Sequence, residues 1–199
     1  MAPVSTRAIS APLDMMELQQ LDLSCLALPT LPGGQVNYNG APCEFVLIAT
    51  EWFRAPFGAS HFNNPAANRL SLEFEVTGPV LEKLQELDRH IVALAIKQKT
   101  FPGKTDAEVA GSYHSLLAVA PKYNQVRLRT KFNKQGMAAT RFWKFPERTL
   151  MKPEGELHEY LMRPHCAFRG VWNENGKWGV SVTCLNILAQ SPEDAPCPF

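Results

Sequence analysis

The sequence has no apolar run near the ~20 residues that a membrane-spanning helix requires. Its leading stretch, Met1 to Leu13, carries one arginine and no apolar core, which speaks against a secretory signal. There is no Cys-x-x-Cys pair, and the five cysteines, Cys25, Cys43, Cys166, Cys184 and Cys197, are scattered and odd in number. Reduced thiols and an intracellular setting, not a disulfide framework, are expected. His165-Cys166 is the one close Cys/His pair, and neighbours on a strand point to opposite faces, so neither a shared metal nor a nucleophile with its base is expected there. The chain also lacks a phosphate-binding loop, a Gly-x-Ser-x-Gly elbow and a His-Glu-x-x-His pair. Glu73 and Glu75 share a strand face, which reads as a solvated face more readily than as an acid and base. These absences lead to the expectation of a non-enzyme with no cofactor and no metal.

What is present is an ordinary globular composition: 199 residues, 45% hydrophobic and 20% charged. That length suits one domain and buries roughly two thirds of the unfolded surface. Sixteen prolines and twelve glycines favour many turns and short strands. Residues 1–42 are punctuated too often for long elements and read as an irregular N-terminal segment, with one helical turn around Leu13 to Leu21. Glu44 to Arg54 reads as a strand, followed by a long aromatic-bearing loop to Pro65. Leu70 to Val76 alternates apolar and polar residues, the mark of a half-buried strand. Two helices follow. The first opens at Pro79 and carries Val80, Leu84, Leu87 and Ile91 at helical spacing. The second opens on the capping box Thr105 to Glu108 and is expected to run to about Leu117. The pair forms a helical insertion over about residues 78–118.

Charge is distributed unevenly. The total is +1, but Lys122 to Arg148 holds eight basic residues against one acidic, a local +7, so the remainder carries −6. Val126 to Phe132 reads as a strand with Arg127, Arg129 and Lys131 on one face. Asn133 to Gly136 reads as a turn, and Ala139 to Phe145 as the returning strand of a hairpin. Cations at every second strand position stand about 6.6 Å apart, close to the spacing of successive phosphates on an extended nucleic-acid strand. Arg127, Arg129, Lys131, Lys134, Arg141 and Lys144 are therefore candidate phosphate contacts. Phe142 and Trp143, with Phe57, Phe62 or Trp52 from the preceding loop, are candidate base-stacking residues, since every base has a π-face. Trp172 reads equally as core or platform, and Trp178 as core. A last hairpin turns at Asn175-Gly176. At least five strands with a helical insert favour a small β-barrel, mainly β with some α.

Three features, taken together, resemble the oligonucleotide-binding-fold single-stranded DNA-binding proteins of short-tailed phages and large eukaryotic DNA viruses. They are Ala55-Pro56-Phe57-Gly58-Ala59-Ser60 after an early strand, the block Leu84 to Lys134 in which a Leu-Asp helix and a second helix lead into Val126-Arg127-Leu128-Arg129-Thr130-Lys131-Phe132, and the closing hairpin Val171 to Val180. The resemblance covers about residues 43–188. It implies a five-stranded OB-type barrel over residues 43–190 with a two-helix insertion, and sequence-nonspecific binding of single-stranded DNA, with RNA left open, in replication or recombination. The tail, residues 191–199, is acidic and ends in Pro198-Phe199, similar to the tails of single-strand-binding proteins. By that likeness Glu193, Asp194 and Phe199 would contact replication enzymes. A homodimer is open, no membrane association is expected, and the alternative is a structural virion protein whose basic hairpin meets an acidic partner.

Overall fold

The computed structural model describes residues 16–30, 33–47, 52–59, 66–152 and 156–191. Three short strands, β1 (Leu26–Ala27), β2 (Asn37–Tyr38) and β3 (Ala41–Pro42), form a small antiparallel sheet. The main sheet contains β4 (Glu44–Val46), β5 (Arg69–Glu75), β6 (Leu117–Ala120), β7 (Gln125–Asn133), β8 (Arg141–Lys144), β9 (Thr149–Met151), β10 (Leu161–Glu174) and β11 (Lys177–Gln190). Its path runs β4-β10-β11-β7-β5, with β6 beside β7 and with β8 joining β11 to β9. The helices are α1 (Gly78–Lys97) and α2 (Asp106–Gly111). The protein is therefore mainly β with two helices, but the sheet path ends at β4 and β5, which do not pair with each other. The closed five-stranded barrel expected from the sequence is corrected to an open, eight-stranded sheet.

The local reasons are plain. Asn175 and Gly176 both take positive φ, 51° and 75°, as a two-residue hairpin turn demands, and they fix the register of the two 14-residue strands β10 and β11. Leu70, Leu72 and Phe74 of β5 face Leu128, Thr130 and Phe132 of β7 on the core side. In α1, Pro79 occupies the first turn, and Val80, Leu84, Leu87, Ile91 and Ala95 form the buried stripe. The segment 18–36 supplies Leu18, Leu21, Leu23, Leu26, Leu28 and Val36 to the same apolar core. Trp178 is fully buried in that core. Its indole N–H donates to the Val109 carbonyl at 2.7 Å, and its ring packs on Phe101 and Tyr113, tying both helices' surroundings to β11.

Two elements differ from expectation. The second helix stops at Gly111, not at about Leu117, because Leu117 to Ala120 pairs with β7 as β6. The basic hairpin does not form. β7 and β8 do not pair with each other. Both run parallel to β11, one after the other, with Lys131 beside Thr183 and Arg141 beside Asn186. Residues 134–139 are an excursion closed at its neck, where the Thr140 amide donates to the Asn133 carbonyl at 2.9 Å and the Asn133 amide to Thr140 Oγ1 at 3.1 Å. The Thr140 hydroxyl in turn donates to the Cys184 carbonyl at 2.6 Å, which pins the neck to β11.

Candidate nucleic-acid interface

Alternation along β7 sends Leu128, Thr130 and Phe132 into the core and Arg127, Arg129 and Lys131 to the opposite, outer face. Facing them from β5 are Glu75, Glu73 and Ser71 in register. A cleft of about 240 Å³ opens here, lined among others by Glu73, His114, Arg129, Lys131, Trp172 and Ser181.

The three cations of β7 are not equivalent. Arg127 is buried; its Nε lies 3.0 Å from Glu73 Oε2, and its guanidinium sits 4.4 Å over the Phe57 ring. Removing one partner of such a buried pair costs about 3–5 kcal/mol, so Arg127 stays with Glu73 and is withdrawn from the expected phosphate row. Arg129 is half-buried. Its Nη1 donates to the carbonyls of Ser115 at 2.7 Å and Leu117 at 2.6 Å. Burial pushes its guanidinium below the ordinary arginine value, while the charges of Glu73 and Asp88 oppose that. Lys131 is exposed, and its ammonium donates to Ser71 Oγ at 2.5 Å. Burial of its stem and the nearby Arg69 charge push it down. Arg69 itself reaches across to Thr183 Oγ1 at 3.4 Å, adding to this face a cation that the sequence reading missed.

Beyond the excursion, Arg141 is exposed and sits in register with Asn186, continuing the outer row along β11. Lys144 does not join it. It shares the opposite face with Phe142 and lies 3.7 Å from Glu147 Oε1. Lys134 is exposed on the excursion.

The expected stacking residues are largely displaced. Phe142 is in the core, edge-on to Phe132 at 6.1 Å. Trp143 lies on the outer side of β8 but is only 5% exposed, and its indole N–H donates to Asn186 Oδ1 at 3.1 Å. A ring so covered offers no free face, and the two are corrected to packed residues. Trp52 is half-buried, capped by the Arg163 guanidinium at 4.2 Å and edge-on to Phe145 at 5.1 Å. Phe57 is half-buried beneath Arg127. Phe62, Glu193, Asp194 and Phe199 lie outside the described residues.

The aromatic of the cleft is Trp172. It stands opposite Gly179 in the β10–β11 register, on the outer face. A Cβ at Gly179 would come within 2.7 Å of the indole and 2.9 Å of the His114 carbonyl, so glycine there is what lets the ring lie against β11. His114 contacts Trp172 edge-on at 5.7 Å. Burial, with Arg129 and Lys177 nearby, pushes the His114 imidazole below its usual 6.5, so it is neutral at pH 7. The cleft thus combines one half-exposed indole, two cations and hydroxyls on a sheet face.

No family model matches the sequence, and no curated protein matches it. Solved structures share the fold. They include the single-stranded DNA-binding protein from bacteriophage Enc34, with 11% identity, 87% of this chain and 92% of that chain covered, and a TM-score of 0.50. They also include gp2.5, a single-stranded DNA-binding protein encoded by bacteriophage T7, with 8% identity, 80% and 91% covered, and a TM-score of 0.52. The structural neighbours are thus phage single-stranded DNA-binding proteins, the group the sequence motifs resemble, and at these identities the likeness is one of fold.

Proposed function

We propose that the protein binds single-stranded DNA without regard to sequence, along the outer face of β7, β11 and β8, and catalyses no reaction. The observation that carries this reading is the cleft in which Arg129 and Lys131 stand beside the indole of Trp172. Arg141 extends the row along β11 beyond it. Cations at this pitch suit the phosphates of an extended strand, and an indole face accepts any base. The fold shared with two phage proteins named for single-stranded DNA binding supports the same conclusion. The protein would act in replication or recombination, holding unwound strands extended. Its tail, with Glu193, Asp194 and Phe199, would engage replication enzymes.

The test is titration of intrinsic tryptophan fluorescence with polythymidylate, beside duplex DNA and RNA of the same length. The reading expects saturable quenching, tightest on single-stranded DNA, and its disappearance in Trp172→Phe. No saturable change on any nucleic acid would instead favour a structural protein.

A further inference from the structure

The helical insertion has its own connection to the cleft. Asp88 lies on α1, outside the cleft lining, yet its carboxylate gathers three donors from the strap of chain that follows α2. Asp88 Oδ1 accepts from the Tyr113 hydroxyl at 2.6 Å and from the Leu116 amide at 3.0 Å, and Oδ2 accepts from Ser115 Oγ. Ser115 Oγ also receives the Leu117 amide at 2.9 Å. The same strap then meets the binding face. Its Ser115 and Leu117 carbonyls take both bonds of Arg129 Nη1, and its Leu116 carbonyl takes the Arg129 amide at 2.8 Å. Its His114 donates its amide to the Trp178 carbonyl at 2.7 Å and packs its ring on Trp172.

We infer that Asp88 is a positioning residue for single-strand binding: through the 113–117 strap it aims Arg129 in the cleft. The inference rests on the reading of that cleft as the single-strand interface. Its physical basis is the long, flexible arginine side chain. Two carbonyls fix one end of the guanidinium, leaving the remaining N–H groups for a phosphate, and those carbonyls are only as well placed as the strap that bears them. Without Asp88, three donors lose their common acceptor at once. The insertion is then the support of the binding face rather than an ornament on the sheet.

The experiment is a double-mutant cycle on single-stranded DNA affinity with Asp88→Ala, Arg129→Ala and the pair, each checked for folding by circular dichroism, with Lys131→Ala as the independent comparison. Asp88→Ala is expected to weaken binding about tenfold, as Arg129→Ala does, since each costs one charge-assisted contact to a phosphate. The pair should bind no more weakly than Arg129→Ala alone, while the Asp88 and Lys131 losses should multiply. The salt slope should become shallower by about 0.7 in Asp88→Ala and in Arg129→Ala, and by no more in the pair. If Asp88→Ala fails to fold, Tyr113→Phe, which removes one of the three bonds, enters the same cycle. Unchanged affinity in Asp88→Ala, or losses that multiply with those of Arg129→Ala, would overturn the positioning role and leave the cleft reading intact. Unchanged affinity in Arg129→Ala would instead sink the cleft reading itself.

Discussion

At the residue scale, two tryptophans trade places relative to what the sequence suggests. Trp143 sits among basic residues and reads as a stacking platform, but it is covered and hydrogen-bonded to Asn186. Trp172 reads as ambiguous, and it lines the cleft. Trp143→Ala is expected to cost about 3–5 kcal/mol of stability, seen as a lowered melting temperature, with single-strand affinity of the folded fraction retained. Trp172→Ala is expected to do the reverse, costing about 1–3 kcal/mol of affinity with a small effect on melting. Swapped results would restore Trp143 as the platform. Trp172 was within reach of the sequence: counting back from the Asn175-Gly176 turn places it opposite Gly179, the one residue that leaves room for an indole. Nothing local, by contrast, marks Arg127 as the partner of Glu73, because that pairing depends on the β5–β7 register.

A second residue-scale consequence concerns His165. Asn186 Oδ1 takes the Trp143 N–H, so its Nδ2 faces His165 Nδ1 at 3.0 Å, and that nitrogen must accept. The proton of the neutral ring is therefore on Nε2, 3.3 Å from Glu44 Oε2. Burial pushes His165 below 6.5, and the Glu44 charge only partly opposes it. The unfolded chain then binds the proton first. Stability is full above about pH 6.5 and falls as the pH drops from there towards the lowered native value. Melting temperatures from about pH 7.5 to about pH 5 should decline in the wild type and decline less in His165→Gln. An equal decline in both would assign the pH dependence to other groups.

At the element scale, strands with clean alternation were legible. The Leu70 to Val76 reading lands on β5 and the Val126 to Phe132 reading on β7, because a half-buried strand writes its two faces into period-two hydrophobicity. The last hairpin was legible because Asn-Gly prescribes its turn. The supposed basic hairpin was not, since a turn followed by a strand looks the same whether the strand folds back or travels on. What decides is Thr140, whose hydroxyl joins the neck of the excursion to β11. Thr140→Val removes both bonds at nearly constant volume, and it is expected to destabilise by about 1–3 kcal/mol, since it leaves buried backbone groups unpaired. Hydrogen exchange should then accelerate at Asn133 and along β8 before the rest of the sheet. Uniform protection across the sheet would show that the neck does not depend on Thr140. The short strands β1–β3, β6 and β9 were invisible to pattern for a simpler reason: two to four residues carry too little periodicity to register.

At the scale of the whole molecule, a near-neutral chain presents a locally basic face. Binding senses the local field, in which Glu73 and Glu75 of β5 offset part of the charge of the β7 cations while acidic residues farther away count for less. Removal of residues 191–199 is expected to tighten single-strand binding modestly, because the tail's carboxylates no longer compete with phosphates at an exposed, screened site. It is also expected to abolish capture of a replication enzyme. Weakened DNA binding on truncation would make the tail part of the binding surface instead. The fold class and the basic strand were readable from sequence; the open sheet was not, since closure depends on whether two strand edges distant in sequence meet.

The most direct test of the central claim is the dependence of single-stranded DNA affinity on salt. Arg69, Arg129, Lys131 and Arg141 on the outer face amount to about four phosphate contacts, so log K against log salt should fall with a slope of about −2.8, at about −0.7 per contact. Removing Lys131 should make that slope shallower by about 0.7. A slope shallower than about −1, unchanged by Lys131→Ala, would contradict the assignment of this face as the single-strand interface.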